Sequence, residues 1–270
     1  MPELPEVEIT RRGIEPFVRG RRITGVIVRN PRLRHRVPRG LAQLLSGREV
    51  KGVFRRGKYL LFECTGGFLI VHLGMSGSLR LTDPQALPGN YDHLDIVFES
   101  KALRLRDPRR FGTVLWTGEA PWRHPLLAKL GVEPLGDKFS ADYLHSISRN
   151  RRVSIKLLLM NSRIVAGIGN IYANESLFRA GIRPSTRSCR LARADCERLV
   201  EAVRETLLAA LAAGGSTLRD FVHSDGSSGY FQQSYFVYDR ASLPCRVCGK
   251  PILSVRLGQR SAFFCPKCQK

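Results

Sequence analysis

The chain has no apolar run approaching the ~20 residues that a membrane-crossing helix needs, which excludes a helical membrane span. Its first residues, Met1-Pro2-Glu3-Leu4-Pro5-Glu6, lack the basic stretch that opens a secretory signal, so the expected location is the cytoplasm. Acids are scarce: 23 Asp and Glu face 44 Lys and Arg, a formal net charge of +21 over 270 residues. That imbalance far exceeds what solubility requires and points to a polyanionic partner, with nucleic acid leading. An anionic membrane fits less well, because no basic amphipathic helix with exposed large apolar residues stands out. Cysteines outside the C-terminus are few: Cys64, Cys189 and Cys196 are scattered, and the total of seven is odd, which excludes a fully paired disulfide framework. There is no internal repeat and no low-complexity linker. With 43% hydrophobic residues the chain can build real cores, and its length holds two domains and a small module.

What is present is concentrated at the two ends. Cys245, Cys248, Cys265 and Cys268 form two Cys-x-x-Cys pairs separated by sixteen residues, the spacing that wraps four thiolates around one Zn²⁺. The intervening segment reads as two short strands around Gly258-Gln259, a β-hairpin finger. All four ligands come from protein, so the expected cofactor is one structural Zn²⁺ with no open position for catalysis. From Gln232 to Lys270 there are seven basic residues and one acid, Asp239, so the finger is itself a basic surface.

Between the ends the pattern changes once. Pro5 suits the first turn of a helix, Glu6 and Glu8 suit its positive end, and Val7, Thr10, Arg11 and Ile14 share a face, which predicts a helix to about Gly13. Short β-branched or apolar stretches follow at Arg22 to Asn30, Arg48 to Arg55, Tyr59 to Cys64, Phe68 to Leu73, Ser78 to Leu81, His93 to Glu99 and Ala102 to Arg106. They predict a β-rich domain, sandwich or barrel. From about Leu126 the periodicity is helical: Val153 to Met160, Ile171 to Ala180 closing at Gly181, and a long helix through Leu199, Val203, Leu207 and Leu211 that ends at Gly214-Gly215.

The amino end carries possible chemistry. If Met1 is removed, Pro2 becomes a free secondary amine beside the carboxylates of Glu3 and Glu6. Such an amine can attack an electrophilic carbon and give an iminium ion. A chain-terminal amine with a pKa near ~7.8 is far more often neutral at pH 7 than a lysine near ~10.4, although proline is more basic than average and needs burial or nearby cations to lower it. A Met-Pro start alone is common for processing reasons, and its weight comes from its companions.

Those companions are Met1-Pro2-Glu3-Leu4-Pro5-Glu6-Val7-Glu8, Gly57-Lys58-Tyr59-Leu60, His72-Leu73-Gly74-Met75-Ser76-Gly77, Asp107-Pro108-Arg109-Arg110-Phe111-Gly112, Gly167-Ile168-Gly169-Asn170-Ile171-Tyr172-Ala173-Asn174-Glu175, and the four-cysteine finger with Gln259-Arg260. Together, and in this order along the whole chain, they resemble the bacterial formamidopyrimidine-DNA glycosylase family. The resemblance implies an α+β fold in three parts. Residues 1–125 would be a catalytic β-sandwich with a leading helix. Residues 126–231 would be a helix-two-turn-helix domain, with a lesion-recognition loop at about 216–231. Residues 232–270 would be the zinc finger.

It also implies an activity: a bifunctional glycosylase and abasic-site lyase of base excision repair. Such an enzyme excises 8-oxoguanine and formamidopyrimidines from duplex DNA through a Schiff base and then cuts by β,δ-elimination. Carried over position by position, Pro2 is the nucleophile and Glu3 the acid, while Glu6 orders the helix end. Lys58 and Arg260 contact phosphate and donate protons during elimination. Asn170 grips phosphate, aided by the helix N-terminus that it opens, and Arg152 is a further phosphate contact. Met75, Arg109 and Phe111 form a wedge that fills the space left by the extruded nucleotide, with Arg109 facing the orphaned base. Tyr91 stands where relatives often carry His, so that DNA contact would be a hydrogen bond without charge. The expected partner is double-stranded DNA with oxidised purines or abasic sites, bound by a monomer. The endonuclease VIII branch, which prefers oxidised pyrimidines, usually begins Pro-Glu-Gly-Pro-Glu, whereas Leu4 and the Ser216 to Phe231 segment favour the purine branch. A catalytically silent DNA-binding protein is the third reading, and the joint presence of Pro2, Glu3 and Lys58 opposes it.

Overall fold

A computed structural model describes residues 1–215 and 234–270. They divide into two compact units. The first holds residues 1–129 with 213–215, and the second 130–212 with 234–270. The hairpin finger therefore shares its unit with the helices.

The first unit begins with α1 (Leu4–Val18), a short helix α2 (Leu41–Leu45) and eight strands: β1 (Gly25–Val28), β2 (Val50–Arg56), β3 (Tyr59–Cys64), β4 (Gly67–His72), β5 (Ser78–Thr82), β6 (Asp92–Val97), β7 (Ala102–Arg106) and β8 (Thr113–Thr117). A 3₁₀ turn at Pro121–Arg123 and α3 (Pro125–Ala128) complete it. The strands form two antiparallel four-stranded sheets, ordered β1-β6-β7-β5 and β2-β3-β4-β8. Their inner faces supply one core, which includes Leu60, Phe62, Leu69, Val71, Leu79, Leu94, Leu103 and Leu105, closed by Val7, Ile14 and Val18 of α1. Of the two readings open from composition, sandwich and barrel, the sandwich is the one found.

α1 runs past the expected stop at Gly13 and through Pro16. Ile14 and Val18 are fully buried, and burying two such side chains, roughly 3–6 kcal/mol together, offsets the ~4 kcal/mol combined disadvantage of Gly13 and Pro16. The strand β8 was not legible in sequence, being five residues between two glycines, but it pairs along β4 at the sheet edge.

Both crossings between the sheets that matter here leave from the same end. In the β2-β3-β4-β8 sheet, Arg56 pairs with Tyr59, Tyr59 with His72, and His72 with Thr113. In the other sheet Ser78 pairs with Arg106 and Arg106 with Asp92. The chain thus passes from β4 to β5 through residues 73–77 and from β7 to β8 through residues 107–112, beside the β2–β3 turn.

The second unit contains α4 (Ala141–Ser148), α5 (Ile155–Leu159), α6 (Asn170–Arg179), α7 (Arg193–Ala212) and the hairpin β9 (Leu253–Leu257) with β10 (Arg260–Phe264). α6 packs against α7 and against β10. The sequence pattern did not mark α4, which is capped by Ser140, whose Oγ accepts the Tyr143 N–H at 3.1 Å.

Candidate active site and nucleic-acid interface

The amino end is held by a reciprocal cap. Glu3 is the N-cap of α1, its side chain accepting the Glu6 N–H while Oε2 of Glu6 accepts the Glu3 N–H at 2.8 Å. Two backbone donors at the helix start are satisfied in this way, and both carboxylates sit at its positive end. Glu3 and Glu6 are buried, as is Pro2. Thr10 Oγ1 donates to the Glu6 carbonyl at 2.9 Å. Gly215 lies against the same cap, since a Cβ there would stand 3.3 Å from Glu6 Oε1.

Lys58 occupies the two-residue turn between β2 and β3, as expected. Gly57 supplies the left-handed backbone of that turn at φ +56°, which a residue with a Cβ adopts only at a cost. The turn is tied to α1 through Arg55, which donates to the Gly57 carbonyl at 2.9 Å and to Glu8 Oε2 at 3.3 Å. Burial alone would raise the Glu8 carboxyl, but hydrogen bonds from Arg11 and Arg12, with the charge of Arg55, hold it below the ordinary carboxylate range. Helix and turn are therefore one structure, and Pro2, Glu3 and Lys58 belong to it.

His72 shares this end. Its ring lies 4.7 Å from that of Tyr59, and its Nδ1 accepts the Gly74 N–H at 2.9 Å. Burial, with the charges of Lys58, Arg34 and His35, depresses its pKa to about 4, so the ring is neutral at pH 7.

The three residues expected to form a wedge ride on the two crossings. Met75 lies on the first and is partly exposed. Arg109 and Phe111 lie on the second, where the guanidinium sits 5.4 Å from the ring of Phe111, itself 42% exposed. None of the three is a core residue. Tyr91 is 45% exposed; its carbonyl accepts the Asp107 N–H at 2.9 Å, and the Arg106 guanidinium stands 5.5 Å above its ring.

In the second unit Asn170 opens α6 behind Gly169, and its Oδ1 is buried without a hydrogen-bond partner. Arg260 is exposed at the first position of β10, after the Gly258-Gln259 turn. Two buried polar contacts hold the hairpin to the helices. Asn174 Oδ1 accepts the Phe263 N–H at 2.8 Å, and Lys156 Nζ donates to the Ser261 carbonyl at 2.6 Å. Asn170 and Arg260 are thereby carried by one body. Arg152 is exposed just before α5.

The four cysteine sulfurs lie within 4.8 Å of one another, with Cys245 to Cys268 at 3.9 Å and Cys248 to Cys265 at 3.4 Å. Zn–S bonds of ~2.3 Å give tetrahedral S···S edges of ~3.8 Å, which this cluster matches. A disulfide would need ~2.05 Å, and all seven cysteines are free. The four thiols fit one structural zinc.

Three family models cover the chain: the formamidopyrimidine-DNA glycosylase N-terminal domain over residues 1–114, its H2TH domain over 130–222, and a zinc finger found in FPG and IleRS over 242–270. The formamidopyrimidine-DNA glycosylase of Paraburkholderia phytofirmans is 57% identical, and that of Aromatoleum aromaticum 58%, each covering all of both chains. The chain belongs to the formamidopyrimidine-DNA glycosylase family. Among solved structures, the Thermus thermophilus protein superposes with a TM-score of 0.89 at 40% identity, covering 99% of this chain and 98% of that one. The Lactococcus lactis protein in complex with DNA containing an abasic site gives 0.92 at 34% identity, covering 99% of each chain.

Within this glycosylase scaffold the sequence reading missed several supports. Glu175 is buried and accepts the N–H groups of Phe236, Val237 and Tyr238 at 2.9, 3.0 and 2.8 Å. Burial pushes its carboxyl up, against the pull of those three donors. Gln269 is buried beside the zinc knuckle, accepting from Cys265 N–H at 2.9 Å and donating to the Ile182 carbonyl at 2.8 Å. The loop after β1 exposes Arg32, Arg34, His35, Arg36 and Arg39, and the Arg34 N–H bonds the Gly112 carbonyl of the wedge crossing at 3.1 Å. The charge run was visible in sequence, but nothing there located it beside the 107–112 crossing. The expected lesion-recognition loop at 216–231 lies outside the described residues.

Proposed function

We propose that this chain is a bifunctional DNA glycosylase and abasic-site lyase of base excision repair that removes oxidised purines from duplex DNA. The observation that carries the reading is the position of Pro2, at the head of a helix whose Glu3–Glu6 cap buries two carboxylates beside it. On removal of Met1 the Pro2 nitrogen bonds to C1′ of the damaged nucleoside. The C1′–N bond breaks, its electron pair leaving with the base, which takes a proton from water, while the Glu3 carboxylate receives the proton that the Pro2 nitrogen loses on bonding and passes it to the sugar ring oxygen. The ring opens to a C1′ iminium. Loss of a C2′ proton then expels the 3′-phosphate, and loss of the C4′ proton expels the 5′-phosphate.

Lys58, fixed to the same helix through Arg55 and Glu8, contacts the phosphates that leave. Asn170 and Arg260, with Arg152, grip the backbone around the extruded nucleotide, where the side-chain N–H donors of Asn170 at the head of α6 and the basic finger that carries Arg260 support that role. Met75, Arg109 and Phe111 enter the vacated stack, Tyr91 hydrogen-bonds a phosphate, and the exposed arginines of 32–39 add phosphate contacts beside the wedge. The zinc holds the finger in shape, and no chemistry runs through it. The residues fall into three working parts: the sandwich of 1–125, the helical part of 126–231 and the finger of 232–270. The enzyme acts on the chromosome as a monomer in the cytoplasm, associated with the nucleoid. No helix among the described residues is long and apolar enough to cross a membrane.

The test is a borohydride trap on a duplex carrying 8-oxoguanine opposite cytosine, with mass spectrometry locating the attachment. An adduct at Pro2 is expected. An adduct at a lysine, or none despite loss of Met1 and intact binding, overturns the reading.

A further inference from the structure

The two crossings that carry the wedge are joined beneath their tips by one carboxylate. Asp107 is fully buried. Its Oδ1 accepts the Ser76 hydroxyl at 2.9 Å, from the Met75 crossing, and its Oδ2 accepts the Gly112 N–H at 2.7 Å, from the end of its own crossing. Ser76 Oγ in turn accepts the Arg109 N–H at 3.2 Å, so the hydroxyl donates to one side and accepts from the other. The Asp107 backbone is engaged as well. Its N–H donates to the Tyr91 carbonyl at 2.9 Å, and its carbonyl accepts the Arg110 N–H at 3.1 Å and lies 2.8 Å from His93 Nε2.

The crossings also touch directly. Gly74 has φ +68°, and a Cβ placed on it would stand 2.4 Å from the carbonyl carbon of Phe111, a separation no side chain tolerates. Met75 is thus one residue from a backbone-to-backbone contact, and Phe111 is on the other side of it. Arg110, between Arg109 and Phe111, holds φ +56° without being glycine, a conformation that persists only where the surroundings impose it. The surroundings here are the Asp107 carbonyl, which accepts the Arg110 N–H, and the Asp107 carboxylate, which ties Gly112 directly and Arg109 through Ser76.

We propose that Asp107 is the positioning residue of the wedge, its carboxylate fusing the Met75 and Arg109–Phe111 crossings into a single insertion body. The proposal rests on the reading that these three side chains enter the duplex. On this account the carboxylate serves nucleotide extrusion and not the covalent steps at Pro2. Without it, Met75 and Phe111 sit on two loops that move separately, and two half-wedges cannot hold open a stack whose closure is worth a few kcal/mol. Asp107 itself, fully buried, touches neither DNA nor the reacting atoms.

The experiment compares two substrates. One is a duplex with 8-oxoguanine opposite cytosine, which must be opened. The other is a single strand with a preformed abasic site, which has no base to extrude and no partner to replace. Asp107→Asn keeps the shape but turns an amide donor toward a hydroxyl or an N–H, while Ser76→Ala removes one arm and leaves the buried charge bonded to Gly112. Single-turnover excision from the duplex should fall by about 100-fold in Asp107→Asn, the scale of a ~1 Å misplacement. Ser76→Ala should cause a smaller loss in the same direction. Cutting of the single-stranded abasic site should stay within about twofold of wild type in both. A 2-aminopurine beside the lesion, whose fluorescence rises as the stack opens, should respond less in the variants at saturating protein. Equal losses on the two substrates, or a wild-type duplex rate in Ser76→Ala, would overturn the proposal. Should Asp107→Asn fail to fold, Ser76→Ala decides alone. A wild-type protein that cuts neither substrate would instead sink the glycosylase reading, so the two failures are distinguishable.

Discussion

The two compact units solve the same problem, holding a few polar groups still, by opposite means. In the first, the amino end and the two crossings hang from an eight-stranded sandwich with a large core of its own. Its candidate site residues are fixed by backbone geometry: a helix cap at Glu3, a two-residue turn at Lys58 and paired crossings at Met75 and Phe111. In the second, the finger that carries Arg260 has, among the described residues, a small core of Phe178, Val237, Cys245, Ile252, Phe263 and Cys265 with a few flanking side chains. So small a cluster cannot order a hairpin by itself, and the four thiolates supply what is missing. The first unit concentrates its rigidity at the capped helix start and the paired crossings; the second concentrates it at the cysteine cluster beneath the hairpin.

The sharpest way to break this contrast is to remove the metal. Chelation, or Cys265→Ser, should unfold the hairpin, because a structural zinc contributes on the order of 10 kcal/mol of folding free energy to such modules. Hydrogen exchange should rise at residues 253–264 and stay slow at 94–105, and affinity for duplex DNA should collapse. Protection retained in the hairpin would show that packing alone suffices there.

A smaller effect separates the units by pH. His72 is held near pKa 4 by burial and by its cationic neighbours, against ~6.5 for a free histidine. The unfolded chain therefore takes up a proton below pH ~6.5 that the folded one refuses until about pH 4. Stability contributed by the neutral ring is full above that window and is lost as pH falls through it, by at most about 3 kcal/mol. His72→Gln should flatten the pH dependence of denaturant midpoints between 6.5 and 4 in the first unit. A curve that keeps its slope would mean the histidine is not the titrating group.

In the second unit the matching test is Glu175→Gln. The amide oxygen can still accept from the 236–238 backbone but without charge, and a cost of about 2 kcal/mol is expected, read as faster exchange at those amides with the sandwich unchanged. Smallest of all is the outer rim of the first unit. Arg34→Gln with Arg36→Gln should lower the slope of log affinity against log salt by about 2, roughly 0.9 per lost phosphate contact. Replacing Arg198 and Arg190 of the second unit should leave the slope unchanged, and equal slopes for the two double variants would remove the 32–39 loop from the DNA surface.

Much of this was legible in the chain because the signals are local. A Cys-x-x-Cys pair, a proline and two glutamates at a helix start, a Gly-Lys turn between two strands and a glycine-led helix at Asn170 each depend on residues a few positions apart, and the structure contains all of them. Local sequence did less well where burial overrode propensity, as in the extension of α1 past Gly13, and where strength came from a distant neighbour, as in β8.

What only the tertiary structure decided is which of these pieces belong together. Asp107 is thirty-one residues from Ser76, Glu175 sixty-one from Phe236 and Asn174 eighty-nine from Phe263. No periodicity reports such partners, since a buried carboxylate or amide is written in the sequence as one more polar letter. The chain by itself determined most of its elements, the cysteine cluster that fits a zinc and the capped start of α1, because those follow from steric and capping rules within one or two turns. The sheet register determined that the Lys58 turn and both crossings, 73–77 and 107–112, share one end, because strand pairing sets distant residues side by side at a fixed step.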